Sequence, residues 1–228
     1  MKYIVHIETS TKMCSVALSG NGKIIDYRNY MEDGYAHSEK LTVLLEELLS
    51  ACNVKFKELA AISISGGPGS YTGLRIGVST AKGLCYALKI PLLAIDSLKC
   101  LALWSQMNEE TRKADYICSL IDARRMEVFS AVYDKQLSVL KPISADIIEE
   151  DSYSELFGDK TVVLLGDGAE KLKEKWEGRT NLIFSGWIAD ARGQAEEAFK
   201  MFEAGTFSDL AYYEPFYLKD FIAGKKKG

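Results

Sequence analysis

SISGGPGSYTGLRIGVSTAKGL, residues 63–84, places six glycines and one proline in twenty-two positions, yet runs on into helical spacing. Glycines between a strand and a helix bring backbone amides to a helix N-terminus, where anions are stabilised, so a phosphate cradle is the first reading to weigh. The spacing fits neither common nucleotide loop. G-x-x-x-x-G-K-[ST] needs a lysine after its last glycine, whereas Gly73 is followed by Leu74 and Arg75. G-x-G-x-x-G is missed by one residue, because Gly67, Gly69 and Gly73 read G-x-G-x-x-x-G. What remains is a turn, Gly66-Gly67-Pro68-Gly69, capped by Ser70 or Thr72 and followed by a helix with small residues inside it. Gly73, Gly77 and Ala81 recur every four residues beside an apolar stripe of Leu74, Val78, Cys85 and Leu88. Each interior glycine costs about 0.8–1 kcal/mol of helix stability against alanine, so close backbone packing must offset it. Spacing alone leaves two partners open: the chain's own sheet or the neighbouring 38–51 helix, or another chain docked on the ridge.

Around this stretch, strand and helix patterns alternate. YIVHI (3–7), SVAL (15–18) and KIIDYRNY (23–30), the last after Gly20-Asn21-Gly22, predict an antiparallel meander. Leu41, Leu44, Leu45, Leu48 and Leu49 then predict an amphipathic helix with Ser38 as N-cap. A strand LAAISIS (59–65), the glycine turn, a helix to about Leu88 and a strand at PLLAI (91–95) complete the order β-β-β-α-β-α-β. The second half repeats the layout. YICSLIDARRMEVFSAVYD (116–134) reads as strand, polar turn and strand, LSVLKPIS (137–144) as a third strand, and TVVLLGDGA (161–169) as a strand ending in a glycine turn. GQAEEAFKMFEAG (193–205) reads as a helix closed by Gly205. An α/β fold of two similar lobes facing each other across a cleft follows, expected at 1–103 and 104–206. The chain would cross between the lobes over 101–112, and 207–228 would return to the first lobe.

The 228 residues, 47% hydrophobic, can bury a substantial core. Five cysteines, Cys14, Cys52, Cys85, Cys100 and Cys118, are odd in number and never form C-x-x-C, so neither a disulfide framework nor a zinc site is expected. No leader and no apolar run of membrane length is read from the sequence, and a soluble cytoplasmic protein is the expectation. The net charge of −4, with acids and bases interleaved, argues against a chain that grips nucleic acid alone, since phosphate neutralisation needs a basic stripe. Lys225, Lys226 and Lys227 read as a solvated tail.

GGPGSYTGLRIGVSTAKGL, with IETSTKMCSVAL near the N-terminus, HSEKL (37–41), IDARRMEVF (121–129) and EPFYLK (214–219), resembles the TsaB family, also called YeaZ. The motifs span nearly the whole chain in the family's order. The resemblance implies an actin-like (ribonuclease H-like, ASKHA) fold of two lobes. It also implies a non-catalytic subunit that binds and activates TsaD, which transfers a threonylcarbamoyl group to the adenosine beside the tRNA anticodon. The ATPase TsaE would join them, tRNA would be met only through the complex, and a homodimer would form where TsaD is absent. Family members make the contact through first-lobe helices, which carries over to Leu41, Leu45, Gly73, Leu74, Gly77, Val78, Ala81 and Cys85 as the partner interface, and favours the docked chain over internal packing.

No cofactor is required on this reading. Any ATP or ADP would bind weakly, in the interlobe cleft or at the complex interface, facing Glu8, Ser10 and Thr11, Asp122 and Arg124, and Gly166 and Gly168. Two departures from the family pattern stand out: Glu8 where aspartate is common, and Lys219 where arginine is usual. Catalytic relatives ligate metal through paired histidines, whereas this chain has His6 and His37 alone, the latter reading as a cap or surface group at a helix start, and no metal site is expected. Neither H-E-x-x-H nor G-x-S-x-G is present, which removes the peptidase reading. The alternative is a stand-alone small ATPase or kinase using Asp122 and Asp167 as its carboxylates.

Overall fold

A computed structural model describes residues 1–31 and 37–219. The first sheet is built from β1 (Tyr3–Glu8), β2 (Cys14–Gly20), β3 (Lys23–Tyr30), β4 (Leu59–Ser65) and β5 (Leu92–Ile95), in the order β3-β2-β1-β4-β5. The first three strands are antiparallel neighbours, and β4 and β5 continue the sheet in parallel. Helix α1 (His37–Ala51) connects β3 to β4, and α2 (Tyr71–Leu88) connects β4 to β5. Leu41, Leu44, Leu45 and Leu48 of α1 and Val78, Ala81 and Cys85 of α2 join Val5, Ile7, Val16 and Leu18 in one core against the sheet. The expected Ser38 cap lies one residue inside α1, which begins at His37.

Helices α3 (Ser97–Ser105) and α4 (Glu109–Arg112) lead into the second sheet, made of β6 (Tyr116–Asp122), β7 (Glu127–Asp134), β8 (Val139–Ile147), β9 (Val162–Leu165) and β10 (Leu182–Phe184). Its order, β8-β7-β6-β9-β10, repeats the first with the same parallel and antiparallel neighbours. The helices do not repeat. Where a full β-β-β-α-β-α-β unit is expected, α5 (Ser154–Phe157) and α6 (Asp167–Glu170) have four residues each. Ile148, Phe157, Leu172 and Trp176, coming mostly from irregular chain, cover that face of the sheet instead.

The last helix, α7 (Ala195–Glu203), follows a turn of 3-10 helix at Ala191–Gln194 and lies against the first sheet, with Ala198 among Ile4, Ala61, Leu93 and Ile95. The expected lobe boundary at 103/104 falls within α3, which serves both sheets. Cys100 packs with the first, and Leu98, Leu101 and Ala102 pack against Ile117, Phe129 and Val163 of the second. The expected return of the closing stretch to the first lobe holds for its first part, where Ser208 bridges Leu92 of β5 and Leu210 and Tyr213 pack on the first core, whereas Leu218 and Lys219 reach the second lobe. Among the described residues no helix is long and apolar enough to cross a membrane. Lys225, Lys226 and Lys227 lie outside the described residues.

Candidate functional site

Alternation along β1 sends Val5 and Ile7 into the helix-covered core and Ile4, His6 and Glu8 to the opposite face. That face carries a buried polar strip, in which His6 Nε2 and Ser19 Oγ are hydrogen-bonded at 2.8 Å. Burial pushes the His6 imidazole down to about 3. Glu8 is fully buried. One carboxylate oxygen accepts the Ser10 amide at 2.7 Å and the other accepts the Ser65 hydroxyl. Gln194 closes the strip, donating to Ile7 O at 2.8 Å and Ser65 Oγ at 3.2 Å while accepting from Ser63 Oγ at 2.6 Å. Among the described residues no cation faces Glu8, and desolvation raises its carboxyl above the ordinary range.

The glycine turn is equally committed. Gly66 N–H donates to Ile95 O at 2.7 Å, Gly67 N–H to Ser97 Oγ at 3.0 Å, and Ser70 N–H to Ser10 O at 2.6 Å. Ser70, one of the two expected caps, accepts from Gly73 N–H at 3.2 Å. Amides spent on internal acceptors are not a phosphate cradle. The outer side of the turn is covered as well: Phe216 N–H donates to Gly66 O at 2.8 Å, and a Cβ on Gly67 would run into the Phe216 carbonyl.

In the second lobe, Asp122 accepts Lys171 Nζ at 2.5 Å and the Arg124 amide at 2.8 Å, and its own amide donates to Asp167 at 3.0 Å. Burial pushes the Asp167 carboxyl up, with the Asp122 charge adding to the shift. Gly166 and Gly168 lie tight against the β6 backbone, where a Cβ on Gly166 would overlap Leu120 O. Of the expected nucleotide-facing residues, Glu8, Ser10 and Thr11 are buried in the first lobe, and Asp122 at the end of β6 and Arg124 in the turn after it are exposed in the second. Glu8 and the amides of Gly66, Gly67 and Ser70 are thus held by partners within the chain.

The expected partner interface needs a correction. Leu41, Leu45, Leu74, Val78, Ala81 and Cys85 are buried, as are Gly73 and Gly77. Their neighbour is the chain itself: a Cβ on Gly73 would overlap Thr9 O, and one on Gly77 would overlap Thr9 Oγ1. The small-residue ridge exists to admit the loop after β1. Between the two packings left open by the spacing, the internal one holds at these positions. His37 is likewise no surface group; it is 1% exposed and its Nε2–H donates to Met13 O at 3.2 Å. Among the described residues no group of three or more His, Cys, Asp or Glu has a metal-holding arrangement.

A second ridge escaped the sequence reading. Ser79, Gly83 and Ala87 also recur every four residues along α2, and all three are exposed. Among the described residues a Cβ on Gly83 would meet nothing within 4 Å. Next to it Tyr86 is 81% exposed, at the rim of a recess of about 510 Å³ lined by Cys85, Tyr86, Ala87, Lys89, Ile90 and Leu210. Val43 of α1 is exposed too. The available signal was the third interior glycine, which the first ridge does not absorb.

Residues 34–221 match the family model described as TsaD: tRNA N6-adenosine threonylcarbamoyltransferase. The chain is 33% identical over 174 residues to the tRNA threonylcarbamoyladenosine biosynthesis protein TsaB of Bacillus subtilis, covering 75% of this chain and 66% of that one. It is 28% identical over 235 residues to the TsaB protein of Escherichia coli, covering 98% and 97%. Its fold matches YeaZ from Pseudomonas aeruginosa with a TM-score of 0.81 at 24% identity, over 96% of this chain and all of that one.

Proposed function

The chain belongs to the TsaB (YeaZ) family, within the wider family described as tRNA N6-adenosine threonylcarbamoyltransferase, and from that premise we propose that it serves tRNA threonylcarbamoyladenosine synthesis as a non-catalytic subunit. It binds a TsaD-type transferase through the first-lobe helices and holds it in its active arrangement by population shift. TsaE joins that assembly, tRNA is met through it, and the work is cytoplasmic. The two sheets of matching strand order are the centres of the two lobes of a reduced actin-like fold, joined through α3.

One observation carries the docking surface. Gly83 costs the helix about 0.8–1 kcal/mol relative to alanine. Among the described residues no neighbour requires it, unlike Gly73 and Gly77. A partner backbone lying across Ser79, Gly83 and Ala87, with Tyr86 beside it, supplies the missing reason. The non-catalytic role is supported by Glu8 and the amides of Gly66, Gly67 and Ser70, whose partners are internal. Weak ATP or ADP binding, in the interlobe cleft or at the complex interface, is compatible with that role.

Reconstitution tests the role. A TsaD-type partner, TsaE, an adenylate-forming enzyme and tRNA are combined with and without the chain, and the modified base is quantified. Modified base appears only when both the chain and the partner are present; base formed by the chain without its partner overturns the proposal. Gly83→Leu tests the surface: the variant stays folded and loses co-purification with the partner, and retained binding rejects the ridge.

A further inference from the structure

Hairpin turns whose central residues both have positive φ favour asparagine, aspartate and glycine, because other side chains crowd the backbone there. The β2–β3 turn obeys this, with Asn21 at φ 50° and Gly22 at φ 78°. The β6–β7 turn does not. Its left-handed residues are Arg124 and Arg125, at φ 71° and 53°, and among the described residues they are the sole adjacent pair of non-glycine residues in that conformation. Lys171 clamps the turn, its Nζ donating to Arg125 O at 2.8 Å and to Asp122 at 2.5 Å. Both arginines are exposed. The carboxylates beside them are taken, Asp122 by Lys171 and Glu127 by Lys219, and among the described residues neither guanidinium has an acceptor. Arg124, Arg125, Lys171 and Lys219 outnumber Asp122, Glu127 and the half-buried Asp167, so the turn is positive in a chain of net charge −4. Two residues before Lys219, the Tyr217 ring is 37% exposed and lies 4.8 Å from that of Tyr71, which also carries the Arg75 guanidinium at 5.4 Å.

We propose that the Arg124–Arg125 turn holds the phosphate backbone of tRNA once the chain is joined to its transferase partner, an inference that rests on the reading that the chain serves tRNA modification. Guanidinium forks match phosphate oxygens two at a time, which an ammonium does not. Arginines placed where the backbone disfavours them, and left without an acceptor inside the described fold, answer to a ligand outside it. An exposed turn suits a backbone that passes over it, whereas small ligands are held in recesses. The aromatic pair and Arg75 nearby offer a base the stacking surface that a small anion does not use. Phosphate contacts set position and carry no sequence information, so the turn places tRNA for the partner's transfer and leaves base recognition to it. With a net charge of −4, the chain alone does not supply enough neutralisation to hold tRNA without the partner.

The test is the double variant Arg124→Asn/Arg125→Gly, which gives the turn the residues its conformation favours. Binding of fluorescent tRNA to the assembly of the full chain with a TsaD-type transferase is followed by anisotropy in nucleotide-free buffer, from about 50 to 200 mM salt. The variant raises the dissociation constant roughly threefold to thirtyfold and flattens the slope of log affinity against log salt by about 1–2, the loss of one or two phosphate contacts. Arg124→Lys/Arg125→Lys keeps the slope and recovers part of the affinity. In the chain by itself, the Asn-Gly turn raises the thermal midpoint by about 2–6 °C, since backbone strain is relieved. Capture of the partner is unchanged. A variant that assembles and binds tRNA with wild-type affinity and slope overturns the proposal. Lost capture of the partner assigns the arginines to a protein contact and rejects it, and a lowered thermal midpoint assigns them to the fold and rejects it equally. A wild-type chain that fails to join the partner, or whose assembly forms no modified base, instead removes the reading beneath it.

Discussion

Gly77 and Gly83 sit on the same helix and lack a side chain for different reasons. At Gly77 the space is occupied by Thr9, and at Gly83 it is open. Gly77→Leu is therefore expected to lower the unfolding free energy by roughly 2–4 kcal/mol, since the loop after β1 must move. Gly83→Ala is expected to raise it by up to about 1 kcal/mol through helix propensity. Denaturant midpoints of the two variants check both signs, and a neutral Gly77→Leu would remove the internal-packing account. Titration separates the two buried groups of the polar strip. The unfolded chain takes up a proton on His6 near 6.5, whereas the fold refuses it until about 3. Stability is thus lost as pH falls through that window, by up to about 1.4 kcal/mol per pH unit, and His6→Gln abolishes this slope. Glu8 has the opposite sign. Its folded-state value is raised by burial, so its charge is a cost at neutral pH that is relieved as pH falls through that raised value. Relative to Glu8→Gln, the wild type gains stability on acidification, as unfolding curves at several pH values would record.

At the scale of elements, the segment from Phe207 to Lys219 has little regular structure but many anchors. Lys82 Nζ donates to Ala211 O at 3.1 Å and Tyr213 O at 2.9 Å, and the Tyr217 ring lies 4.8 Å from Tyr71 at the start of α2. Leu218 then packs on the second core, and Lys219 pairs with Glu127. The segment thus runs from the glycine turn of one lobe to a strand of the other. Tyr217→Ala is expected to cost about 1–2 kcal/mol, from lost ring burial and stacking. Lys219→Ala should cost less than about 1 kcal/mol, because that ion pair is partly exposed. Limited proteolysis at 207–219 and thermal melting would rank the two variants, and the reverse order would show that charge rather than packing holds the segment. Helix α2 reads well from sequence at both ends, with Ser70 as its cap and Lys89 in the left-handed conformation beyond Leu88. Its burial does not, because 73/77/81 and 79/83/87 are equally plausible ridges until Thr9 arrives from another part of the chain.

For the molecule as a whole, the join between the lobes centres on Arg192. Its Nε and Nη2 each donate to Asp190 at 2.8 Å, and its Cζ lies 3.6 Å from the Tyr27 ring centre and 4.1 Å from that of Trp104. Asp190 is nearly inaccessible and also accepts from Asn29 at 2.8 Å. Arg192→Ala leaves that carboxylate without its cation, and a loss of about 3 kcal/mol is expected in chemical unfolding. Arg192→Lys recovers only part of it, since an ammonium reproduces neither the fork nor the stacked plane. Full recovery by lysine would reduce the join to simple charge. By itself the sequence determined the twofold strand grammar, the helices of the first lobe and the family, because alternation, leucine spacing and a glycine motif are local properties of the chain. Tertiary structure alone decided that the first glycine ridge is filled, that Glu8 is sealed, and that α7 crosses to the first sheet. Each depends on residues distant in sequence, Thr9 against Gly77, Ser65 against Glu8 and Ala198 against Ile4, and local periodicity carries no information about which distant group fills a space.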